Sequence, residues 1–246
     1  MNQVTESMRH HPTAALRLMP RHALVVKLMI GAALFAPGPL AAQEARPAAA
    51  PAAGEWRPLF DGKSLAGWKE SDFLGAGKVT LEKGLITIGA GVLTGINWAH
   101  SALPFPTANY EIRIEAARLK GSDFFAGITF PVRDSFCTWI NGGWGGEVVG
   151  LSSLDGADAS MNETTFTWRF ELGRWYSLRL RVTPASISAW IDDELVIDVN
   201  ISKKWIALRE GDIDRSLPFG IATYATVAAV RKIEWRPVAA VGPAAR

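Results

Sequence analysis

In NYEIRIEAARL, Tyr110, Ile112, Ile114 and Ala116 take turns with Glu111, Arg113 and Glu115. A period of two gives one buried and one wet face only in a β-strand. WYSLRLRVT repeats the pattern, with Tyr176, Leu178, Leu180 and Val182 on one face and Ser177, Arg179 and Arg181 on the other. SISAWIDDELVIDV reads as two strands around a turn at Asp192, Asp193 and Glu194. Residues 84–96, 125–132 and 219–238 are rich in β-branched and aromatic residues broken by glycine. Only SKKWIALREGDI hints at a helical turn, and after residue 55 no apolar stripe holds helical spacing for three turns. The expected fold is all-β, a two-sheet antiparallel jelly-roll sandwich; without an internal repeat, a propeller is set aside.

The ends of the chain read differently. Residues 1–42 combine a basic stretch, an apolar run from Ala23 to Phe35 and a small-residue end at Ala41-Ala42. That is the pattern of a secretory signal peptide, and the run is too short to span a bilayer. A periplasmic or secreted protein with no membrane anchor is expected. Residues 43–54 form an Ala/Pro-rich linker, 55–238 the folded domain and 239–246 a tail. Cys137 is the only cysteine, so no internal disulfide holds the domain. The formal charge is only +2 with the leader's arginines included, which disfavours nucleic acid as a partner.

All ten tryptophans fall after residue 55. Many suit a sandwich core, but Trp190 shares a strand face with Ser186 and Ser188, and Trp144 stands inside NGGWGGE. A tryptophan among four glycines has no packing partners nearby in sequence. It is either tucked under a loop or displayed for stacking. Flat indoles suit the apolar faces of pyranose rings, and neighbouring Asn, Asp and Glu suit their hydroxyls. Carbohydrate is therefore the expected partner.

The stretch Trp56, Leu59, Phe60, Asp61, Gly62, Lys63, Ser64, Leu65, Gly67 and Trp68 closely resembles the opening motif of the 3-keto-disaccharide hydrolase family, also described as 3-keto-glucoside lyase/hydratases. The resemblance continues through NYEIRIEAA, AGITFPV, WGGEVVGLSSLDG and the hairpin from Glu171 to Asp198. It implies a concanavalin A-like sandwich and an enzyme that cleaves 3-keto-glycosides by elimination followed by hydration, a net hydrolysis. Phe125-Ala126-Gly127 stands where the family commonly shows Asn-Ser-Gly, and Pro131 replaces an arginine, with Arg133 two places later.

That chemistry needs a base near C2, a partner for the enolate oxygen and an acid or metal at the leaving oxygen. His100 is the only histidine beyond the leader and the first candidate for the base. The resemblance places Glu147 at the family's glutamate, making it the second catalytic candidate. Trp144, Asn141, Trp139, Trp190 and Asp123 form the candidate sugar-binding set, with Asp123 also readable as a turn residue. Asp155 and Asp158 read as turn residues that could also serve a divalent ion such as Ca²⁺; no cofactor is otherwise indicated. Glu111 and Glu115 are expected to pair with arginines on a solvated face. The alternative function is a non-catalytic carbohydrate-binding or matrix-interaction module of the same fold.

Overall fold

The structure is a computed structural model that describes residues 54–239. The expected leader, and nearly all of the expected linker and tail, lie outside the described residues. Two antiparallel sheets form a sandwich. The larger sheet has the order Glu194–Asn200, Ser186–Ile191, Trp175–Val182, Tyr110–Lys120, Val227–Pro237, Leu85–Ile88 and Val79–Glu82. Arg57–Pro58 also pairs with Val227–Pro237. The smaller sheet runs Phe166–Thr167, Val148–Ser152, Ser135–Gly143, Gly127–Val132, Gly220–Thr223, Thr94–Trp98 and Trp68–Glu70. Among the described residues the sole helical segment is the short 3₁₀ turn Asp212–Ser216, which shares only Asp212 and Ile213 with the stretch SKKWIALREGDI.

The core follows the alternation. Tyr176, Leu178, Leu180 and Val182 are buried and their neighbours partly open, as the period of two requires. Ile112 and Ile114 meet Ile128, Phe130, Trp139 and Leu151 from the facing sheet in one continuous core. Cys137 is fully buried there, and desolvation pushes its thiol up to about 12, which leaves it unreactive.

Asp61, Leu59, Gly67 and Trp68 of the opening motif each have a physical task. Asp61 accepts the Lys63 and Ser64 backbone N–H groups at 2.8 Å, closing the turn, and those bonds hold its carboxyl below the usual carboxylate range. The Leu59 N–H donates to Ile233 O, tying the turn to the larger sheet. Gly67 lies at φ +83, and a Cβ there would stand 2.8 Å from the Trp98 ring. Trp68 then enters the core at 5% exposure, donating its indole N–H to Leu59 O at 2.8 Å.

The outer face of the larger sheet is a lattice of arginines, carboxylates and indoles. Arg181, Glu111 and Arg236 stand side by side across three strands. Glu111 Oε1 accepts from Arg181 Nε at 2.6 Å and from Arg179 at 3.3 Å, while Oε2 accepts from Arg236 Nε at 2.6 Å. Glu111 is fully buried beneath these arginines, which corrects the expectation of a solvated pair. Glu115 is more open, binds Arg231 and Lys232, and fits that expectation. Burial opposes ionisation of Glu115, but the bonds from Arg231 and Lys232 prevail and hold its carboxyl below the usual range. The Arg179 guanidinium lies 3.7 Å from the centre of the Trp190 ring.

The outer face of the smaller sheet is small and polar. Asn97, Gly220, Thr129, Thr138 and Ser152 form one cross-strand row, with the two threonine hydroxyls 2.9 Å apart. The segment 201–218 crosses this face and buries the row. It is tied down by Ser153 N–H to Ala207 O at 2.8 Å, Ser135 Oγ to Ile206 O at 2.7 Å and Asn97 Nδ2 to Leu217 O at 2.7 Å. Arg133 donates to Ile201 O and Lys204 O, so it anchors the same segment.

Candidate functional site

Where segment 201–218 leaves the outer face of the smaller sheet incompletely covered, a cavity of about 220 Å³ remains. Its floor is Thr138, Ile140 and Ser152; its walls are Leu93, Phe124, Trp144, Tyr224 and residues 209–213. An adjoining hollow is lined by Asp123, Phe124, Trp144, Arg209 and Tyr224. The rim is aromatic: Trp144 is 43% and Tyr224 42% exposed. Phe124 lies beside Tyr224 with ring centres 6.0 Å apart. A Cβ on Gly127 would stand 3.0 Å from the Phe124 ring, so the bare glycine lets Phe124 lie close to the sheet. The Arg209 guanidinium lies 5.7 Å from the Trp144 ring centre.

The backbone of NGGWGGE explains how Trp144 comes to be displayed. A register shift between Asn141 and Gly143 ends the strand's regular pairing, and Trp144, Gly145 and Gly146 all take positive φ. The buried Arg118 pins the turn from below, donating to Gly146 O at 3.0 Å and Phe170 O at 2.7 Å. A Cβ on Gly146 would stand 2.7 Å from Arg118 Nη1. From the other side, Asp123 Oδ2 accepts the Gly145 N–H at 3.4 Å. The turn is fixed while the indole projects over the cavity.

Trp144 and Asp123 are thus brought together at this groove. Trp139 and Asn141 are not: they share the strand face opposite Thr138 and Ile140, both are fully buried in the sandwich, and Asn141 Nδ2 donates to Ala126 O at 3.0 Å. They cannot touch a sugar, because the face that looked available is the interior one. Trp190 lies on the outer face of the larger sheet, stacked under arginine, and is also outside the groove. Glu147 is exposed in the turn before Val148, and its carbonyl accepts the Trp168 N–H at 2.8 Å. His100 is exposed beside Trp98, ring centres 5.7 Å apart. Neither lines the cavity or the hollow.

The structure does not bring His100 and Glu147 together. Four strand spacings of about 4.8 Å separate the strands they adjoin. Those strands run parallel, with Glu147 before the start of one and His100 past the end of the other. One sugar ring cannot reach both.

Asp155 and Asp158 do not suit a metal. Asp155 Oδ1 accepts the Trp205 N–H at 2.9 Å and Oδ2 the Lys204 ammonium at 3.1 Å, bonds that hold its carboxyl below the usual range. Asp158 Oδ1 accepts both the N–H and the hydroxyl of Ser160. Among the described residues no three His, Cys, Asp or Glu side chains gather as an ion would require.

The groove also holds residues that the local pattern did not single out: Phe124, Arg209, Glu210, Asp212 and Tyr224. Tyr224 follows the outward Ala222 by two and was readable from alternation. Arg209 and Glu210 reach the site only because Ser153 pairs with Ala207, a long-range contact with no local signal. Replacing Trp144 with alanine is expected to weaken saccharide binding by about 0.5–1.5 kcal/mol with little change in melting temperature. Calorimetric titration and thermal melts check both; a large melting loss with unchanged affinity would make Trp144 structural.

Residues 55–236 match the sequence profile of the 3-keto-alpha-glucoside-1,2-lyase-like domain. No curated protein matches this sequence. Among solved structures, the Crh5 transglycosylase in complex with NAG is similar at 12% identity and TM-score 0.51, covering 76% of this chain and 85% of that one. A protein provisionally assigned as a glycosyl hydrolase from Parabacteroides distasonis is similar at 15% identity and TM-score 0.48, covering 75% and 94%. The carbohydrate-binding module CBM66 from Bacillus subtilis follows at 13% identity and TM-score 0.46, covering 69% and 95%. At these identities the likeness concerns the fold alone, a concanavalin A-like sandwich.

Proposed function

We propose, from the premise that this chain belongs to the 3-keto-alpha-glucoside-1,2-lyase-like family, that it cleaves 3-keto-glycosides in the groove beneath Trp144. The observation that carries the reading is the convergence there of exposed indole and phenol rings, one guanidinium and the carboxylates of Asp123 and Glu210. The pyranose stacks on Trp144 and Tyr224. Arg209 faces the 3-keto oxygen and stabilises the enolate as it forms. Glu210 takes the C2 proton, the C1–O bond breaks, and the departing oxygen takes a proton from the Tyr224 hydroxyl or from water. Water then adds across the C1–C2 double bond, its hydroxyl to C1 and its proton to C2, and the proton held by Glu210 returns to the Tyr224 oxygen or to solvent, which restores both groups. The sum is hydrolysis, and no step runs through a metal.

The test is incubation of the full chain with 3-keto-trehalose. The expected products are 3-keto-glucose and glucose. Glu210→Gln keeps the shape, removes the base and should lower kcat by roughly 100-fold or more with KM little changed. A second reading, a carbohydrate-binding module without catalysis, is favoured by one observation: the only described histidine, His100, lies away from the groove. Binding with no product would favour it.

A further inference from the structure

We infer that Arg118 is a positioning residue for the sugar site, the group that sets Trp144 at the height where a ring can stack on it. This rests on the reading of the Trp144 groove as a sugar site. Arg118 ends the inward face of Tyr110–Lys120, after Tyr110, Ile112, Ile114 and Ala116. Those four are buried in the sandwich, and Arg118 itself is only 7% exposed. A cation at that depth ordinarily lies against a carboxylate. Among the described residues Arg118 has no ion pair: its guanidinium donates only to two carbonyl oxygens, and its Nε has no partner. Burial lowers the guanidinium from its usual value, and the attraction of Asp123 and Glu147 does not offset it. A methionine would fill the same place without that desolvation. The reason for a charge here lies in what it holds.

It holds the backbone of the Trp144 turn. Nη1 donates to Gly146 O and Nη2 to Phe170 O, whose segment is tied to the same turn by the Trp168 N–H on Glu147 O. The Arg118 carbonyl also accepts the Gly173 N–H at 2.8 Å. One residue therefore joins the strand end, the turn and residues 168–173. Its planar fork meets two carbonyls at a fixed spacing, which the single ammonium of lysine does not. The turn needs such a clamp. Trp144 sits at φ +48, left-handed backbone that a bulky side chain adopts only when its surroundings impose it. The indole itself supplies little restraint, because the residue is 43% exposed. Below, a Cβ on Gly142 would stand 3.1 Å from Gly146 O, so the turn closes over the guanidinium with two bare glycines. Without the clamp Trp144 is free to return to ordinary backbone, which swings the indole off the rim it shares with Phe124 and Tyr224.

The experiment is a double-mutant cycle between Arg118→Lys and Trp144→Ala in the full chain. Affinity for trehalose, which lacks the 3-keto group and so reports binding without turnover, is read by calorimetric titration. Amide exchange of residues 142–147 is read by mass spectrometry without ligand, and thermal melts control for the fold. Trp144→Ala should weaken trehalose binding roughly 2- to 12-fold, the scale of one aromatic contact. Arg118→Lys should weaken it by a comparable factor. It should also speed exchange in 142–147 roughly tenfold, the scale of one hydrogen bond to a charged group, and leave Trp175–Val182 unchanged. The double variant should bind no more weakly than Trp144→Ala alone, because a misplaced platform and a missing one are equivalent. Arg118→Met, which buries no charge, takes the place of Arg118→Lys if the latter fails to fold, with the same expectations. Losses that add in the double variant, or an unchanged affinity in Arg118→Lys beside a weakened Trp144→Ala, overturn the positioning role and leave the groove standing. If trehalose does not bind, or Trp144→Ala changes nothing, Trp144 is no platform and the positioning role falls with it, and the groove is then judged by its own product assay.

Discussion

Replacing Glu111 with glutamine should destabilise the domain by about 3 kcal/mol or more, the cost of removing one partner from a buried ion cluster. Glu111 is fully buried and is approached by Arg179, Arg181 and Arg236, whose side chains keep 24%, 41% and 29% exposure. Without the carboxylate, the guanidiniums of the two strands that flank the Glu111 strand converge on a position that no longer carries an anion. Their partial contact with water limits the loss and sets the expectation at the lower end of the buried-pair range. For a domain of this size the melting temperature should fall by roughly 6–12 °C. Glu115→Gln is the control: its pairs are more open, so the loss should stay within about 1 kcal/mol. Thermal melts of both variants decide it, and equal small losses would mean that the lattice contributes nothing beyond ordinary surface pairing.

Trp68→Ala should cost about 3–5 kcal/mol, as large truncations in a packed core do. The Trp68 ring meets Trp98 edge-on at 5.7 Å and Phe219 at 5.4 Å, so alanine leaves a cavity among side chains that are themselves held by the sheet. Trp68→Phe keeps most of the volume but loses the N–H bond to Leu59 O, so a cost closer to 1 kcal/mol is expected for the bond itself. The order Ala well above Phe, read by denaturant midpoints, distinguishes packing from the hydrogen bond. Similar costs for both would place the motif's contribution in the bond instead.

The strands were legible because their signal is local. Trp175–Val182 has one apolar and one charged face, and that contrast alone sets its orientation. Ser135–Gly143 has no such contrast. Phe136, Thr138 and Ile140 alternate with Cys137, Trp139 and Asn141, and segment 201–218 covers the outer row so that nearly the whole strand is buried. Parity is readable there but direction is not, so the sequence alone offers Trp139 and Asn141 to a sugar although they face the core. Glu111 shows the same limit on the other sheet. Alternation pointed it outward correctly, but the arginines that seal it come from neighbouring strands fixed by register. The glycines around Trp144 signal a turn that gives the indole no local packing partner, because glycine takes positive φ at little cost, and the choice between a tucked and a displayed ring is made by the fold. Arg209 and Glu210 depend on how a long segment crosses the sheet, and no short-range pattern encodes that.

Cleavage by elimination leaves a mark that binding alone and direct hydrolysis do not. The deciding measurement is incubation of the full chain with 3-keto-trehalose in heavy water, with the recovered 3-keto-glucose examined for deuterium at C2 against a protein-free control. Elimination and hydration should release glucose and place solvent deuterium at C2, both strongly slowed in Glu210→Gln. Release of 3-keto-glucose that keeps its original C2 proton would contradict the elimination route, and saccharide binding with neither release nor exchange would contradict catalysis itself.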